Sequence, residues 1–414
     1  MEHSLYRRSD TCRLCHSTRL EKVLTLKPTP PANACVRQEQ LGDEQPTFPL
    51  NLALCANCGH TQLIDVVDPA YLFSHYVYAS GAAPAMVRHL HDYGRRVIER
   101  LRPSQGDLVV EVGSNDGTFL RTFRDHGLKV LGIDPAKNIA EQANKSGIET
   151  LVEFFNAGIA REVRAKYGAA KIVCANHVFA HVADMQGFVD GARHLLADDG
   201  VFVFEVGYLV DVYEKSTFDT IYHEHLDYHR VGPLRRFFEA NGLLMFDAER
   251  TDIQGGSLRG YVSRPGARQQ SPNLRVLEDY EHKIGLDEPV TFRRFADRIN
   301  RSGLELTTLL AGLKAQGKKI AAYGLPAKAT TLMYHFDLDQ RTIEYVVDDA
   351  PLKVGLFSPG LHVPILSVNT LYERHPDYVV VLAWNFADTI ITRHKAFTDK
   401  GGRFIVPLPS LAVR

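Results

Sequence analysis

The densest run of titratable side chains is Tyr222-His223-Glu224-His225-Leu226-Asp227-Tyr228-His229. Removing a proton beside a carbonyl needs a base of near-neutral pKa and donors for the oxygen on which charge develops, and histidine with tyrosine supplies both. His177 and His181 form a second group, in Asn176-His177-Val178-Phe179-Ala180-His181, and Tyr76 and Tyr78 a third, in Ser74-His75-Tyr76-Val77-Tyr78-Ala79-Ser80. A metal is the competing use of the first run, because His223-x-His225 can ligate an ion. The HExxH pattern is absent, since Asp227 stands where its second histidine belongs. Any one of these histidines, taken singly, is more often a satisfied structural residue; the cluster as a whole reads as catalytic.

Cysteine gives a different chemistry. Cys12-x-x-Cys15 and Cys55-x-x-Cys58 are two knuckles, and two such turns can present four sulfurs to one tetrahedral zinc. Four sulfurs leave no open coordination position, so the expected metal is structural. Buried thiols or a redox pair are the alternative. Cys35 and Cys174 have no partner at ligand spacing and read as core residues.

A glycine-bearing loop, Glu111-Val112-Gly113-Ser114-Asn115-Asp116-Gly117, follows a strand and opens a helix. Doubly wound sheets bind ligands at such a place. Asp116 within the loop disfavours a dinucleotide phosphate and suits a cationic cofactor. Glu111 can order the loop or face an ammonium group, and Asp134, at the end of the next strand, can accept from two ribose hydroxyls. A structural turn in another α/β fold is the bland reading.

The elements that must position these groups follow from periodicity. Met86, Leu90, Tyr93, Val97 and Leu101 recur at helical spacing. Strands at Leu108–Val110, 129–133, 171–175 and 201–204 alternate with helices at 118–126 and 188–196, which implies a parallel sheet covered on both faces. Residues 1–80 read as irregular, and 266–289 as a polar connector. An amphipathic helix over 291–316 leads to further strands at 319–323, 344–347, 378–382 and 403–407. The expected fold class is α/β in three parts. These are an N-terminal zinc-binding domain (1–80), a central Rossmann-like domain (81–265) and a C-terminal Rossmann-like α/β domain (266–414). A hydrophobic fraction of 45%, a charged fraction of 23% and a net charge of −1 suit a globular chain with no overall pull toward nucleic acid. The N-terminus lacks the apolar run of a signal peptide, and the longest apolar stretch, 201–210, is interrupted by Glu205. The chain reads as cytoplasmic, with no membrane partner.

In the last domain, Gly324-Leu325-Pro326-Ala327-Lys328-Ala329-Thr330 is a turn entering a helix. A helix start beside a glycine and a lysine suits an anionic phosphate. Lys328 is the expected charge, with Tyr323 nearby and Lys353 a weaker candidate. A structural domain whose lysine faces solvent is the alternative.

Taken together, these motifs resemble the sugar C-methyltransferases of deoxysugar biosynthesis, especially those acting on carbon 3 of dTDP-4-keto-6-deoxyhexoses. The likeness spans nearly the whole chain, from the paired knuckles through Gly255-Gly256-Ser257-Leu258-Arg259 to the Gly324 turn. It implies zinc on Cys12, Cys15, Cys55 and Cys58, and S-adenosylmethionine on Glu111, Gly113, Ser114, Asn115, Asp116 and Asp134. It implies a nucleotide-sugar partner contacted by Tyr323, Lys328, Lys353 and Arg259, and a catalytic set of Tyr76, His181, Tyr222, Glu224 and His225. His225 is the favoured base, with Glu224 orienting it. Within the resemblance, His177 stands where asparagine is expected and Gln254 where histidine is common. An O- or N-methyltransferase on a sugar or small metabolite is the alternative enzyme, and a non-catalytic zinc-bearing scaffold the alternative of another class.

Overall fold

The computed structural model describes residues 5–73, 80–82 and 84–414; Tyr76 and Tyr78 lie outside them. Among the described residues, a seven-stranded sheet forms the centre. Its first strand, Leu108–Val112, pairs in parallel with Lys129–Ile133 on one side and Ala170–Asn176 on the other. Leu108–Val112 is buried along its whole length, as a parallel strand covered on both faces must be. Because the next two major strands lie on opposite sides of it, a crevice opens at its carboxyl end, where doubly wound sheets take ligands. Thr150–Leu151 extends one edge. On the other side Leu196–Gly207 pairs in parallel with Ala170–Asn176, and the antiparallel pair Leu244–Thr251 and Ser257–Ser263 completes the sheet.

The C-terminal sheet repeats this plan. Ile320–Tyr323 lies between Val346–Asp348 and Tyr378–Val381, all parallel, with Ile365–Ser367 and Arg403–Val406 outside them and antiparallel Ala412–Val413 at the edge. The helix Pro289–Ala315 precedes it. Among the described residues no helix is long and apolar enough to cross a membrane.

Two sequence expectations are corrected. The first 80 residues are not irregular: Leu20–Thr29, Phe48–Cys55 and Thr61–Leu63 form an antiparallel sheet. Leu24 and Leu26 face Leu52 and Leu50 across it, all buried. The alternation is present in the sequence but is interrupted by register shifts and crowded by prolines and cysteines. Nor is 266–289 merely a connector. It contains the helix Asn273–Lys283, which offers few apolar residues but buries Glu281. That carboxylate accepts from the amides of Val231 (2.6 Å) and Gly232 (3.1 Å) and from the Tyr208 hydroxyl (2.9 Å). The two amides begin the helix Val231–Ala240, where free N–H groups and the helix dipole favour an acid.

The histidine-rich run lies where all three regions meet. Asp227–Tyr228 is a fourth strand of the N-terminal sheet, paired with Thr61–Leu63. Asp227 Oδ1 receives His60 Nε2 at 2.7 Å and lies 3.4 Å from Arg13 Nη1, with all three side chains buried. Arg13 also donates to the carbonyls of Leu63 and Leu226 at 2.8 and 3.1 Å. From the C-terminal side, Thr331 donates to the Ile221 carbonyl at 2.8 Å and Trp384 Nε1 to Asp219 at 2.6 Å. Removing one partner of a buried ion pair leaves the other charge unpaired and costs about 3–5 kcal/mol. Asp227→Ala is accordingly expected to lower the urea midpoint by a corresponding amount, whereas an exposed control such as Asp399→Ala leaves it in place.

Candidate active site

At the crevice the chain turns through Gly113 (φ +67°) and Gly117 (φ +74°) into the helix Thr118–Asp125. A Cβ on Gly113 would lie 2.1 Å from Val178 Cγ2. Glycine is therefore required there both for its backbone conformation and for the close approach of the segment that follows Asn176. Asp134 clasps the loop, its Oδ2 accepting from the Asn115 amide and its Oδ1 from the Ala136 amide, each at 2.9 Å. Each oxygen keeps a second lone pair. Burial raises the Asp134 pKa against these two bonds.

Asn115 and Asp116 are engaged with protein. The Asn115 side chain accepts from the Ser80 amide and Asp116 Oδ2 from the Gly81 amide, both at 2.8 Å. Asp116 Oδ1 accepts from the Thr118 hydroxyl at 2.6 Å. These contacts fasten residues 80–82 to the loop. Glu111 is different. Its Oε1 accepts from Asn176 Nδ2 at 2.9 Å, but its buried Oε2 and the buried Ser114 Oγ have no partner among the described residues. Burial pushes the Glu111 pKa well above the carboxylate range, and Asp134 and Asp116 push it further. A buried acid with one unsatisfied oxygen fits a cationic ligand, which would supply the missing counter-charge.

His225 lies beside this cleft in a fixed tautomer. Its Nδ1 is 2.8 Å from the Thr220 carbonyl, which can only accept, so Nδ1 carries the proton and Nε2 presents a lone pair. Tyr222 Oη lies 3.0 Å from that Nε2. His181 stacks on His225 with ring centroids 5.1 Å apart. Burial lowers the His225 pKa to about 4, helped by the charge of His177 and opposed by the Thr220 contact. Burial, then His225 and His177, holds His181 well below its ordinary value. Both rings are thus neutral near pH 7, the form a base needs.

Glu224 does not orient His225 as the sequence reading expected; the Thr220 carbonyl does. Glu224 accepts from Asn33 Nδ2 of the N-terminal region at 2.8 Å. Burial raises its pKa to about 7, with Asn33 and the charge of Lys353 pulling the other way. The neighbouring histidines are structural. His223 Nε2 lies 3.2 Å from the carbonyls of Phe48 and Pro49, and His229 stacks on Phe179 and His60.

The residues expected at the substrate divide. Arg259 is 1% exposed, binds Glu205 through Nε and Nη2 at 3.1 and 2.6 Å, and lies over the Tyr93 ring. It is part of the central sheet, not a ligand contact. Tyr323 is buried too, its hydroxyl engaged by Asp349, His394 and Arg393 within the C-terminal domain. Lys328 does not face solvent: its Nζ bonds Asn385 at 2.8 Å and sits 3.3 Å from the Trp384 ring centroid. Burial lowers its pKa to about 8, and the nearby Asp219 opposes that. Lys353 donates to the Leu325 carbonyl at 2.7 Å. Sequence reasoning missed Asn33, the Thr220 carbonyl and the Arg13–His60 pair, for which the sequence carries no local signal. Glu205 was visible as the one acid in an apolar run.

The four knuckle sulfurs lie within 4.8 Å of one another, with Cys12–Cys58 and Cys15–Cys55 each 3.6 Å apart. A tetrahedron with zinc–sulfur arms of about 2.3 Å has edges of about 3.8 Å, so the four fit one zinc. Such an ion would tie the turn after Cys12 to the hairpin carrying Cys55 and leave no site for substrate.

Residues 12–73 match a family model described as a zinc binding domain, 86–246 a methyltransferase domain, and 252–409 a C-methyltransferase C-terminal domain. The C-methyltransferase NovU of Streptomyces niveus is 36% identical over 401 residues, covering 97% of this chain and 96% of that one. Among solved structures, magnesium protoporphyrin IX methyltransferase from Synechocystis PCC 6803 is 14% identical over 44% of this chain and 81% of its own, with a TM-score of 0.34. An S-adenosylmethionine-dependent methyltransferase from Clostridium acetobutylicum is 10% identical over 44% and 92%, with a TM-score of 0.36.

Elemental analysis of protein purified without chelator is expected to find one zinc per chain. Cys12→Ser should lose that metal and lower the unfolding midpoint, because zinc binding contributes directly to folding. A metal-free parent of unchanged stability would remove zinc from the structure.

Proposed function

Because the chain belongs to the C-methyltransferase family, we propose that it methylates carbon 3 of a nucleotide-linked 4-keto deoxysugar, a dTDP-4-keto-6-deoxyhexose, with S-adenosylmethionine as donor. The observation that carries this reading is the neutral His225, whose Nδ1 proton is held by Thr220 so that Nε2, contacted by the Tyr222 hydroxyl, carries the lone pair that can take a proton. Transfer to oxygen or nitrogen does not require a proton to leave carbon; transfer to the carbon beside a ketone does, and a neutral imidazole is in the form that can accept it.

S-adenosylmethionine, when bound, supplies an electrophilic methyl on a sulfonium. Glu111 offers its unsatisfied oxygen to the donor's positive charge, and Asp134 offers its remaining lone pairs to the ribose. The loop 113–117 holds both at one end of the sheet. His225 Nε2 accepts the proton alpha to the ketone. Tyr222 and His181, within hydrogen-bond and stacking distance of that ring, steady the imidazolium and the oxygen on which charge gathers. Tyr76 belongs to the same set in this reading. Lys328 and Lys353 supply positive charge toward the pyrophosphate from the C-terminal side. Holding the reacting carbon, the base and the methyl in line is the protein's main contribution.

A C4 ketone acidifies the protons on carbon 3 and carbon 5 alike, so isotope exchange tests the reading directly. In deuterated water, NMR of dTDP-4-keto-6-deoxyglucose with the protein is expected to show deuterium entering at carbon 3. His225→Asn should abolish both exchange and methylation while keeping donor affinity. Deuterium confined to carbon 5 would move the reaction there, and persistent exchange in His225→Asn would remove its role as base.

The pH dependence separates the two neighbours. With a pKa near 4, His225 stays a competent base throughout the range above about pH 5. Glu224, near 7, gains its negative charge as pH rises through that value and then supports the imidazolium next to it in the chain. The exchange rate is expected to climb through about pH 7 and level off. In Glu224→Gln that rise should disappear, leaving a lower, flat profile.

A further inference from the structure

The position of the proton on His225 depends on the Thr220 carbonyl, which accepts from Nδ1 at 2.8 Å and so leaves Nε2 with its lone pair. Tyr222 Oη, 3.0 Å from Nε2, does not enforce this choice, because a hydroxyl can also accept and would take a hydrogen bond from Nε2–H. What holds the Thr220–Ile221 peptide therefore decides which nitrogen of the ring is protonated. Its own turn is slight. The Ile221 amide reaches the Phe218 carbonyl at 2.9 Å, and the 3-10 helix Phe218–Thr220 has only three residues.

The C-terminal domain braces that peptide from both sides. After it, the Thr331 hydroxyl donates to the Ile221 carbonyl at 2.8 Å. Before it, Trp384 Nε1 donates to Asp219 Oδ2 at 2.6 Å, with both side chains buried. Asp219 Oδ1 has no partner among the described residues, so the indole bond is what anchors this carboxylate. Burial pushes the Asp219 pKa up, and the charge of Lys328 and the Trp384 bond pull it back. Trp384 is the chain's single tryptophan, and its ring is itself wedged in place. Lys328 Nζ lies over it, and on the central-domain side a Cβ on Gly255 (φ +92°) would come within 2.9 Å of ring Cη2. An indole has one N–H and no acceptor, and here that N–H is aimed at the turn before the base.

Resting on the reading of His225 as the base toward a ketosugar, we infer that Trp384 is a positioning residue: its indole N–H, through Asp219, fixes the turn whose Thr220 carbonyl keeps the proton on His225 Nδ1. Without that N–H, both oxygens of Asp219 are left unpaired in a dry place, a cost the segment relieves only by moving. The Thr220 carbonyl then withdraws from Nδ1. The competing tautomer, with Nε2–H donated to Tyr222, becomes populated, and in that form Nε2 has no lone pair for the alpha proton.

The test reads the tautomer and the chemistry separately. With histidine labelled with 15N, long-range proton–nitrogen NMR at neutral pH reports the tautomer of each ring, and the His225 signals are those lost in His225→Asn. The parent is expected to show Nδ1–H alone at His225, and Trp384→Phe, which keeps a ring and deletes the donor, a mixture with Nε2–H. Deuterium exchange of dTDP-4-keto-6-deoxyglucose and kcat for methylation should fall together by at least about tenfold, with KM for the sugar nucleotide and calorimetric donor affinity changed less than about threefold. Asp219→Ala should do the same, whereas Asp219→Asn, which keeps an acceptor for the indole, should retain most of the parent tautomer and rate. The parent tautomer in Trp384→Phe, or the parent exchange rate despite a mixed tautomer, overturns the inference. So do tautomer changes in both Trp384→Phe and Asp219→Ala that merely follow a lost urea transition. Absence of exchange in the parent itself would instead overturn the ketosugar reading, while the tautomer spectra still decide what Trp384 holds in place.

Discussion

The structure depends on one buried carboxylate, Asp227, held between Arg13 and His60. Residues 218–229 contain only a short 3-10 turn and a two-residue strand of their own. They cannot satisfy their polar groups alone, and an unpaired polar group in such a place is expensive. The N-terminal region takes in Asp227, His223 and Glu224; the C-terminal domain takes Asp219 and the Ile221 carbonyl. The segment bearing His225 therefore owes its placement to both flanking regions. Zinc belongs to the same logic. Arg230 and Arg236 donate to the carbonyls of Gly59 and Cys58, so the second knuckle is tied to the helix that follows the histidine run.

Much of this was legible in the sequence. The strand–helix alternation, the glycine loop and the knuckles are local patterns, and each was visible because its physical cause lies within a few residues. The histidine cluster was visible as a group, but its division of labour was not. His223, His225 and His229 look alike in sequence. Only tertiary contacts make the first a partner of backbone carbonyls, the second a neutral ring with a fixed tautomer and the third part of an aromatic stack. Arg259 misled for the same reason, since a conspicuous cation after two glycines looks like a ligand contact until its carboxylate, 54 residues upstream, is seen. The N-terminal strands were obscured because prolines and metal ligands interrupt their alternation, and the helix 273–283 because it buries only Leu274 and an acid, Glu281.

The two Rossmann-like sheets share a detail beyond strand order. At the end of the second strand of each, an aspartate bridges two backbone amides. Asp134 takes those of Asn115 and Ala136, and Asp348 takes those of Leu325 and Ala350. Gly113 and Gly324 also donate alike, to Ile133 and Val347, each at 2.7 Å. The crevices then diverge. In the central sheet Glu111 keeps an oxygen unsatisfied among the described residues, whereas in the C-terminal sheet Tyr323, Asp349, Arg393 and His394 bond to one another. One framework is left open to a ligand and the other is closed by its own side chains.

The sequence distances spanned by the joints have a consequence for how the molecule comes into being. Thr330 bonds the Ala32 carbonyl across 298 residues, and Thr331 the Ile221 carbonyl across 110. During synthesis the central sheet can form once residue 263 has left the ribosome. The loop bearing His225 still lacks its C-terminal supports until the helix 327–335 and then Trp384 appear. Long-range closures of this kind are slow and leave surface uncovered while they wait. The nascent chain should thus acquire a cleft for its donor well before it acquires a reactive centre, and hold no complete catalytic apparatus until its last third has docked.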